Sequence, residues 1–390
     1  MAENSTNKVI KTRASLLSLG VNISALLFAL VIVLFVVHRR SQQEEQNAKR
    51  GNHFKETVIL DANAHQAMWP LPHAVQDAPY KGVTHWLDNS PDDGTVVDFF
   101  DFDLEKNPGL RLEIYDQDED DAKPFDNVAT YWNHGVGWAT AHLNASDRGP
   151  VVAAWNGLFF DLNGQGADRV ANHLTPVVLN GQLHYGDLPT YRWTFGIHYE
   201  DGHPQFSVLH MPKPADVAKR FDFAAGAAQC VIKEGQPLKL EPYPKKAGYI
   251  PPSHDSTPDE AGYIRIVDHM KVSRTSIGWT KDYSHLYLLF VSAPSSETES
   301  ALAFKHGTAV SGGWSLADIQ RFWMAKGVWC AINSDGGGPA QLTYRLPNGN
   351  YYLLPPAWAA DNTRRLVGPD FKNAPPGGSL MYFYVRDATK

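Results

Sequence analysis

Apolar and polar positions alternate along "GTVVDFFDFDL" and "LRLEIYD", the two-residue period of half-buried strands. Further strands are expected at "RWTFGIHY", "QFSVLHM", "QCVIKEG", "HLYLLFVS" and "GGSLMYFYVRD". "GPVVAAWNGLFFD" begins as a short apolar strand and breaks at Asn156-Gly157, a tight-turn signal. "NVATYWNHGVGWATAHL" reads as a helix interrupted by Gly135 and Gly137. The strongest helix signal is "WSLADIQRFWMAK". Ser315 can cap it with Asp318 three residues on, Leu316, Ile319, Phe322 and Trp323 share one face, and Gly327 stops it. "VWCAI" follows as a buried strand, and residues 241–262, rich in proline and polar groups, read as a surface excursion. Strands interspersed with helices predict an α+β or mixed α/β fold: one folded domain over residues 76–390, with a mixed sheet flanked by helices.

The N-terminus has a different pattern. Leu16–Val37 carries no charge and is about 33 Å long as a helix, enough to cross a hydrocarbon core of about 30 Å. The expected organisation is a tail (1–14), a transmembrane helix (15–38), a juxtamembrane linker (39–75) and the folded domain. "VVHRRSQQEEQ" offers no small-residue cleavage site, which favours an uncleaved anchor over a signal peptide. Lys8, Lys11 and Arg13 before the span nearly balance Arg39 and Arg40 after it, so charge leaves the orientation open.

The chain has 390 residues, 43% hydrophobic and 12% aromatic, enough for one large domain or two small ones. The net charge of −7, without a basic stripe, argues against nucleic acid as a partner. Cys230 and Cys330 are too far apart for a CxxC motif, so they are either a disulfide or two buried thiols. "YDQDEDDAKPFD" spaces Asp116, Asp118 and Asp120 like the opening of a calcium loop. Asp121 and Asn127 stand where that loop needs glycine and glutamate, so a solvated acidic loop is favoured. HExxH, GxSxG and P-loop patterns are absent.

Most unusual is "VWCAINSDGGGPAQL": a buried strand leaves through Asn333, Ser334 and Asp335 into Gly336, Gly337 and Gly338. Each glycine costs roughly 1 kcal/mol of backbone order relative to alanine. Alone, the stretch could be a tight turn whose aspartate caps its own backbone. Two further stretches precede it, "WNGLFFD" (Trp155–Asp161) and "SRTSIGWT" (Ser273–Thr280).

In this order, Asn156-Gly157-Leu158-Phe159-Phe160, Arg274-Thr275-Ser276-Ile277-Gly278 and Asn333-Ser334-Asp335-Gly336-Gly337-Gly338 resemble the phosphodiester glycosidase family. "AAGAAQCVIKEGQPL" and "TRRLV" (Thr363–Val367) look like further family elements, and the resemblance runs from about Val83 to Tyr384. Pro339 and Ser334 depart from the family pattern, as does "APSSETES" after "LLFVS". The resemblance implies hydrolysis of glycosyl phosphodiesters, with a phosphoglycan or envelope polymer as substrate. Arg274 would grip phosphate through its bidentate fork, and Thr275 would add a hydroxyl. Gly336–Gly338 would offer backbone amides to anionic oxygens, and Asn156, Gly157, Asn333 and Ser334 would line the site. Asp335 would be nucleophile, general base or ligand to a divalent cation, Ca²⁺ or Mg²⁺. Asp161, Asp168 and Asp187 are unranked candidates for a second carboxylate. Such substrates lie outside the cytosol, which places the domain on the extracytoplasmic face of a single-pass membrane protein. A phosphoglycan-binding module without activity and a metal-dependent phosphodiesterase cutting the P–O bond are the alternatives.

Overall fold

The alternating segments form two large antiparallel sheets. The first runs, in spatial order, β1 (Val75–Tyr80), β2 (Val83–Asn89), β3 (Val96–Asp103), β15 (His285–Ser292), β14 (Arg274–Trp279), β16 (Cys330–Asn333), β12 (Phe223–Lys233), β10 (Trp193–Glu200) and β11 (His203–His210). β8 (Val177–Leu179) and β13 (Gln236–Pro237) pair with β12, and β9 (Gln182–His184) pairs with β8. The second sheet runs β19 (Arg365–Val367), β18 (Tyr351–Leu354), β17 (Leu342–Arg345), β5 (Val151–Asn156), β20 (Met381–Asp387) and β4 (Leu110–Asp116). A separate ribbon joins β6 (Phe160–Asn163) to β7 (Val170–His173). This computed structural model describes residues 69–89, 93–117, 134–163, 170–173, 175–184, 193–238, 271–294, 312–356, 359, 363–375 and 377–389. They fall in one unit, His65–Phe304 with Thr308–Lys390.

The two sheets enclose the main core, in which Phe100, Phe102, Trp155, Ile277, Ile332, Leu342 and Phe383 are buried together. Three helices accompany them among the described residues: α1 (Val136–Ala145), α2 (Pro214–Arg220) and α3 (Leu316–Lys326). α3 lays Ile319, Phe322 and Trp323 on the outer face of the first sheet, against Phe99, Tyr287 and Ala331. Its ends are those the sequence indicates, a Ser315–Asp318 capping box and a left-handed Gly327 at φ 77°. α1 has Gly135 as its N-cap and packs Val136, Ala139 and Leu143 on the outer face of the second sheet, against Tyr382 and Tyr384.

This architecture corrects the expected mixed sheet flanked by helices. The described chain is 48% strand and 13% helix, and every pairing between its strands is antiparallel. The misreading has a physical cause. β5 is buried at every position and β15 at all but its ends, because the opposite sheet covers one face and a helix covers the other. Two-sided burial gives the continuous apolar runs of an α/β sheet.

The membrane expectation is corrected as well. No helix among the described residues is long and apolar enough to cross a membrane. Leu16–Val37 lies outside the described residues, so a single-pass anchor has no structural basis here, and the expected placement as a single-pass membrane protein with an extracytoplasmic domain is set aside. The acidic run beyond Gln117 and the 241–262 excursion also lie outside them. The two cysteines are buried and not joined in a disulfide: Cys230 pairs with Ile332, two residues from Cys330, and burial pushes the Cys330 thiol up.

Candidate active site at one end of the sandwich

The three stretches singled out in the sequence meet at one end of the two sheets. β14 begins at Arg274 and β16 ends at Asn333, which sits opposite Ser276. β5 ends at Asn156 in the other sheet. Because β16 belongs to the first sheet and β17 to the second, Ser334–Gln341 is the crossover between layers. Ser334 N–H donates to the Thr275 carbonyl at 2.9 Å, and Asp335 N–H donates to the Gly157 carbonyl at 2.9 Å. The crossover is therefore tied to both layers at the position of the carboxylate.

The glycines serve this passage. A methyl group on Gly336 would sit 2.7 Å from the Ser273 carbonyl oxygen and 3.2 Å from Arg274 Cα. Gly337 adopts φ 65° and donates its N–H to Ser273 at 2.8 Å. Gly336 N–H donates to Asp335 Oδ1 at 2.9 Å. Two of the three glycine amides thus already have protein acceptors, and an open anion nest over Gly336–Gly338 does not form. Gly336→Ala is expected to cost about 1–3 kcal/mol, as overpacking does. An unchanged midpoint in chemical denaturation would show that the passage has room to spare.

Asn156 anchors the return of the crossover. Its Oδ1 accepts from Gln341 N–H and its Nδ2 donates to the Pro339 carbonyl at 2.9 Å. Asn333 Nδ2 donates to Gln229 Oε1 at 3.1 Å and to the Ser334 carbonyl at 2.9 Å. Ser334 Oγ donates to the Thr275 carbonyl at 3.1 Å. These side chains hold the loop in shape, where the sequence reading placed them against the substrate.

Arg274 and Thr275 part company. Ser276 Oγ accepts from Trp323 Nε1 of α3 at 2.7 Å, so Ser276 and, two residues away, Arg274 belong to the outer face of the first sheet. Arg274 is buried there and donates from Nε to the Trp314 carbonyl at 3.1 Å. Thr275 shares the inner face with Ile277, fully buried, and its hydroxyl has no hydrogen-bond partner. A shared grip of Arg274 and Thr275 on one phosphate is therefore corrected.

The inner face carries charged groups that the sequence reading missed. Asp98 of β3, Phe290 of β15 and Thr275 of β14 form one cross-strand row. Asp98 is fully buried, and its Oδ1 lies 2.9 Å from His85 Nε2. Its Oδ2 accepts from the Arg364 guanidinium, which also donates to the Tyr344 hydroxyl at 3.2 Å. The other ring nitrogen of His85 lies 3.0 Å from Asp77 Oδ1. Burial would push the Asp98 carboxyl up, but Arg364 and the His85 contact outweigh it and hold it below its ordinary value.

On the other flank, Asp116 Oδ2 lies 2.9 Å from His173 Nε2, with both side chains buried. Asp116 pairs with Met381, whose carbonyl accepts the Gly157 N–H at 2.9 Å. Among the described residues, Asp98 and Asp116 thus join Asp335 at this end of the sandwich. Of the earlier candidates, Asp168 and Asp187 lie outside the described residues, and Asp161 is placed by its backbone in β6. A usable signal existed: Asp98 falls in the same strand phase as Phe100 and Phe102, and His85 in that of Val83 and Leu87. Among the described residues, no group of three or more His, Cys, Asp or Glu is placed to hold a metal ion.

Acids, an arginine and a buried hydroxyl thus gather at one end of the sandwich. The chain belongs to the phosphodiester glycosidase family, whose model matches residues 149–369, more than half its length. It is accordingly a hydrolase, a glycosidase acting on phosphodiester-linked sugars. The chain matches no curated protein. Among solved structures it is similar to the zebrafish N-acetylglucosamine-1-phosphodiester alpha-N-acetylglucosaminidase catalytic domain, auto-inhibited by its pro-peptide. Identity there is 16%, coverage 83% of this chain and 87% of that one, and TM-score 0.46. It is also similar to a hypothetical protein from Synechocystis at 12% identity, covering 81% of this chain and 64% of that one, TM-score 0.39.

Proposed function

We propose that the chain cleaves the bond between a sugar's anomeric carbon and a phosphate oxygen at the end of the sandwich, with Asp335 beside the reacting centre. The observation that carries this reading is the crossover, which fixes Asp335 between the two layers, its own amide on the Gly157 carbonyl and that of Ser334 on the Thr275 carbonyl. The leaving group is a phosphomonoester, whose second pKa of about 6 contrasts with about 15.7 for water. The demand for a strong general acid is correspondingly low. What the site must supply is a directed water or carboxylate nucleophile and stabilisation of positive charge at the sugar ring. Water oxygen ends on the anomeric carbon, and the electrons of the broken C–O bond leave with the phosphate. Asp335 acts as nucleophile or general base, and Thr275 Oγ donates to a substrate oxygen.

Turnover of an N-acetylglucosamine-1-phosphodiester in oxygen-18 water tests this. Label in the sugar is expected. Label in phosphate would mean P–O cleavage, the reaction of a phosphodiesterase, and binding without turnover would mean a phosphoglycan-binding module. A chelator titration in the same assay reads whether a divalent cation takes part.

A further inference from the structure

Resting on the phosphodiester reading of the same site, we propose that Arg364 is the phosphate-binding cation. The distribution of guanidinium donors carries the assignment. Arg274 is buried on the outer face against Trp314. Arg364 stands on the inner face, where one nitrogen donates to Asp98 and another to Tyr344, and its side chain keeps 21% of its surface open. A guanidinium has five N–H donors, so three remain for an oxyanion. Asp98 and the Tyr344 hydroxyl fix the plane of the fork, which pre-organises it for bidentate contact with phosphate oxygens. Asp98, moreover, is not a counterion for Arg364 alone, since its other oxygen faces His85.

Placement agrees with the chemistry. Asp98, Phe290 and Thr275 are neighbours in one row of the first sheet, so Asp98 and Thr275 are about 10 Å apart at Cα. A phosphodiester held by Arg364 would extend its glycosyl half toward the crossover that carries Asp335. In this arrangement Asp98, His85 and Tyr344 are positioning residues and Arg364 is the one that touches the ligand.

The test uses the full chain, with inorganic phosphate as a binding probe and two substrates sharing one sugar, a phosphodiester and an uncharged nitrophenyl glycoside. Arg364→Gln is expected to weaken phosphate binding, read by calorimetry, about 10- to 100-fold. It is also expected to lower the ratio of kcat/KM for phosphodiester over nitrophenyl glycoside by a similar factor, with Arg364→Lys in between. Phosphate should protect Arg364 of the wild-type protein from phenylglyoxal, mapped by mass spectrometry, which needs no variant to fold. Unchanged phosphate binding in Arg364→Gln, an equal loss on both substrates, or Arg274→Gln moving the ratio in its place would overturn the assignment. Phosphate binding that depends on Arg364 without any phosphodiester turnover would instead retain Arg364 and refute the hydrolytic reading.

Discussion

Asp335→Asn is expected to leave the fold intact and to lower kcat by about 10²- to 10⁴-fold, the usual contribution of a proton-transferring or nucleophilic carboxylate. The fold should survive because the tie to the second layer is made by the Asp335 backbone N–H. An asparagine Oδ1 can also still accept from Gly336 N–H, as the carboxylate does at 2.9 Å. What the substitution removes is the charge and the ability to take a proton or attack carbon. The measurement is steady-state kinetics on the phosphodiester beside a thermal melt. Activity within threefold of wild type, at an unchanged melting temperature, would take Asp335 out of the mechanism.

The second large effect falls on stability. Asp98→Asn is expected to cost about 3–5 kcal/mol, because it leaves a half-buried guanidinium and an imidazole facing a neutral amide. For a domain of this size that is a fall of about 10 °C in melting temperature. The sign of the pH dependence follows from the depressed carboxyl of Asp98. Its stabilisation is fully present above the unfolded value of about 3.9 and is lost as pH falls through the lower folded value. Wild type and variant should therefore differ most at neutral pH and converge in acid. Melting curves that stay equally separated down to the acid limb would mean that the pair contributes through shape and not charge.

Local signals were the legible ones. Ser315, Asp318 and Gly327 delimit α3 because capping depends on residues within a turn of each other. β11 follows from its alternation. The sandwich itself was not legible, since β5 and β15 are apolar on both faces whether a sheet or a helix covers them. In the site, the meeting of Asn156, Thr275 and Asp335 was readable from the three stretches, but the division of labour was not. Adjacent residues on a strand face opposite ways, so Arg274 and Thr275 could have been separated from sequence alone once β14 was recognised as a strand. Arg364 could not have been chosen over Arg274 without Asp98, a contact between residues 266 apart in sequence.

The crossover also makes Asp335 a caliper between the layers. Its neighbour Ser334 is fastened to one sheet and its own amide to the other, so any swelling of the interior pulls the carboxylate out of register before either sheet comes apart. Catalysis should consequently fade at denaturant concentrations where the strands themselves are still intact. Core substitutions at Phe383 or Trp155 should then register first as lost turnover and only later as lost structure.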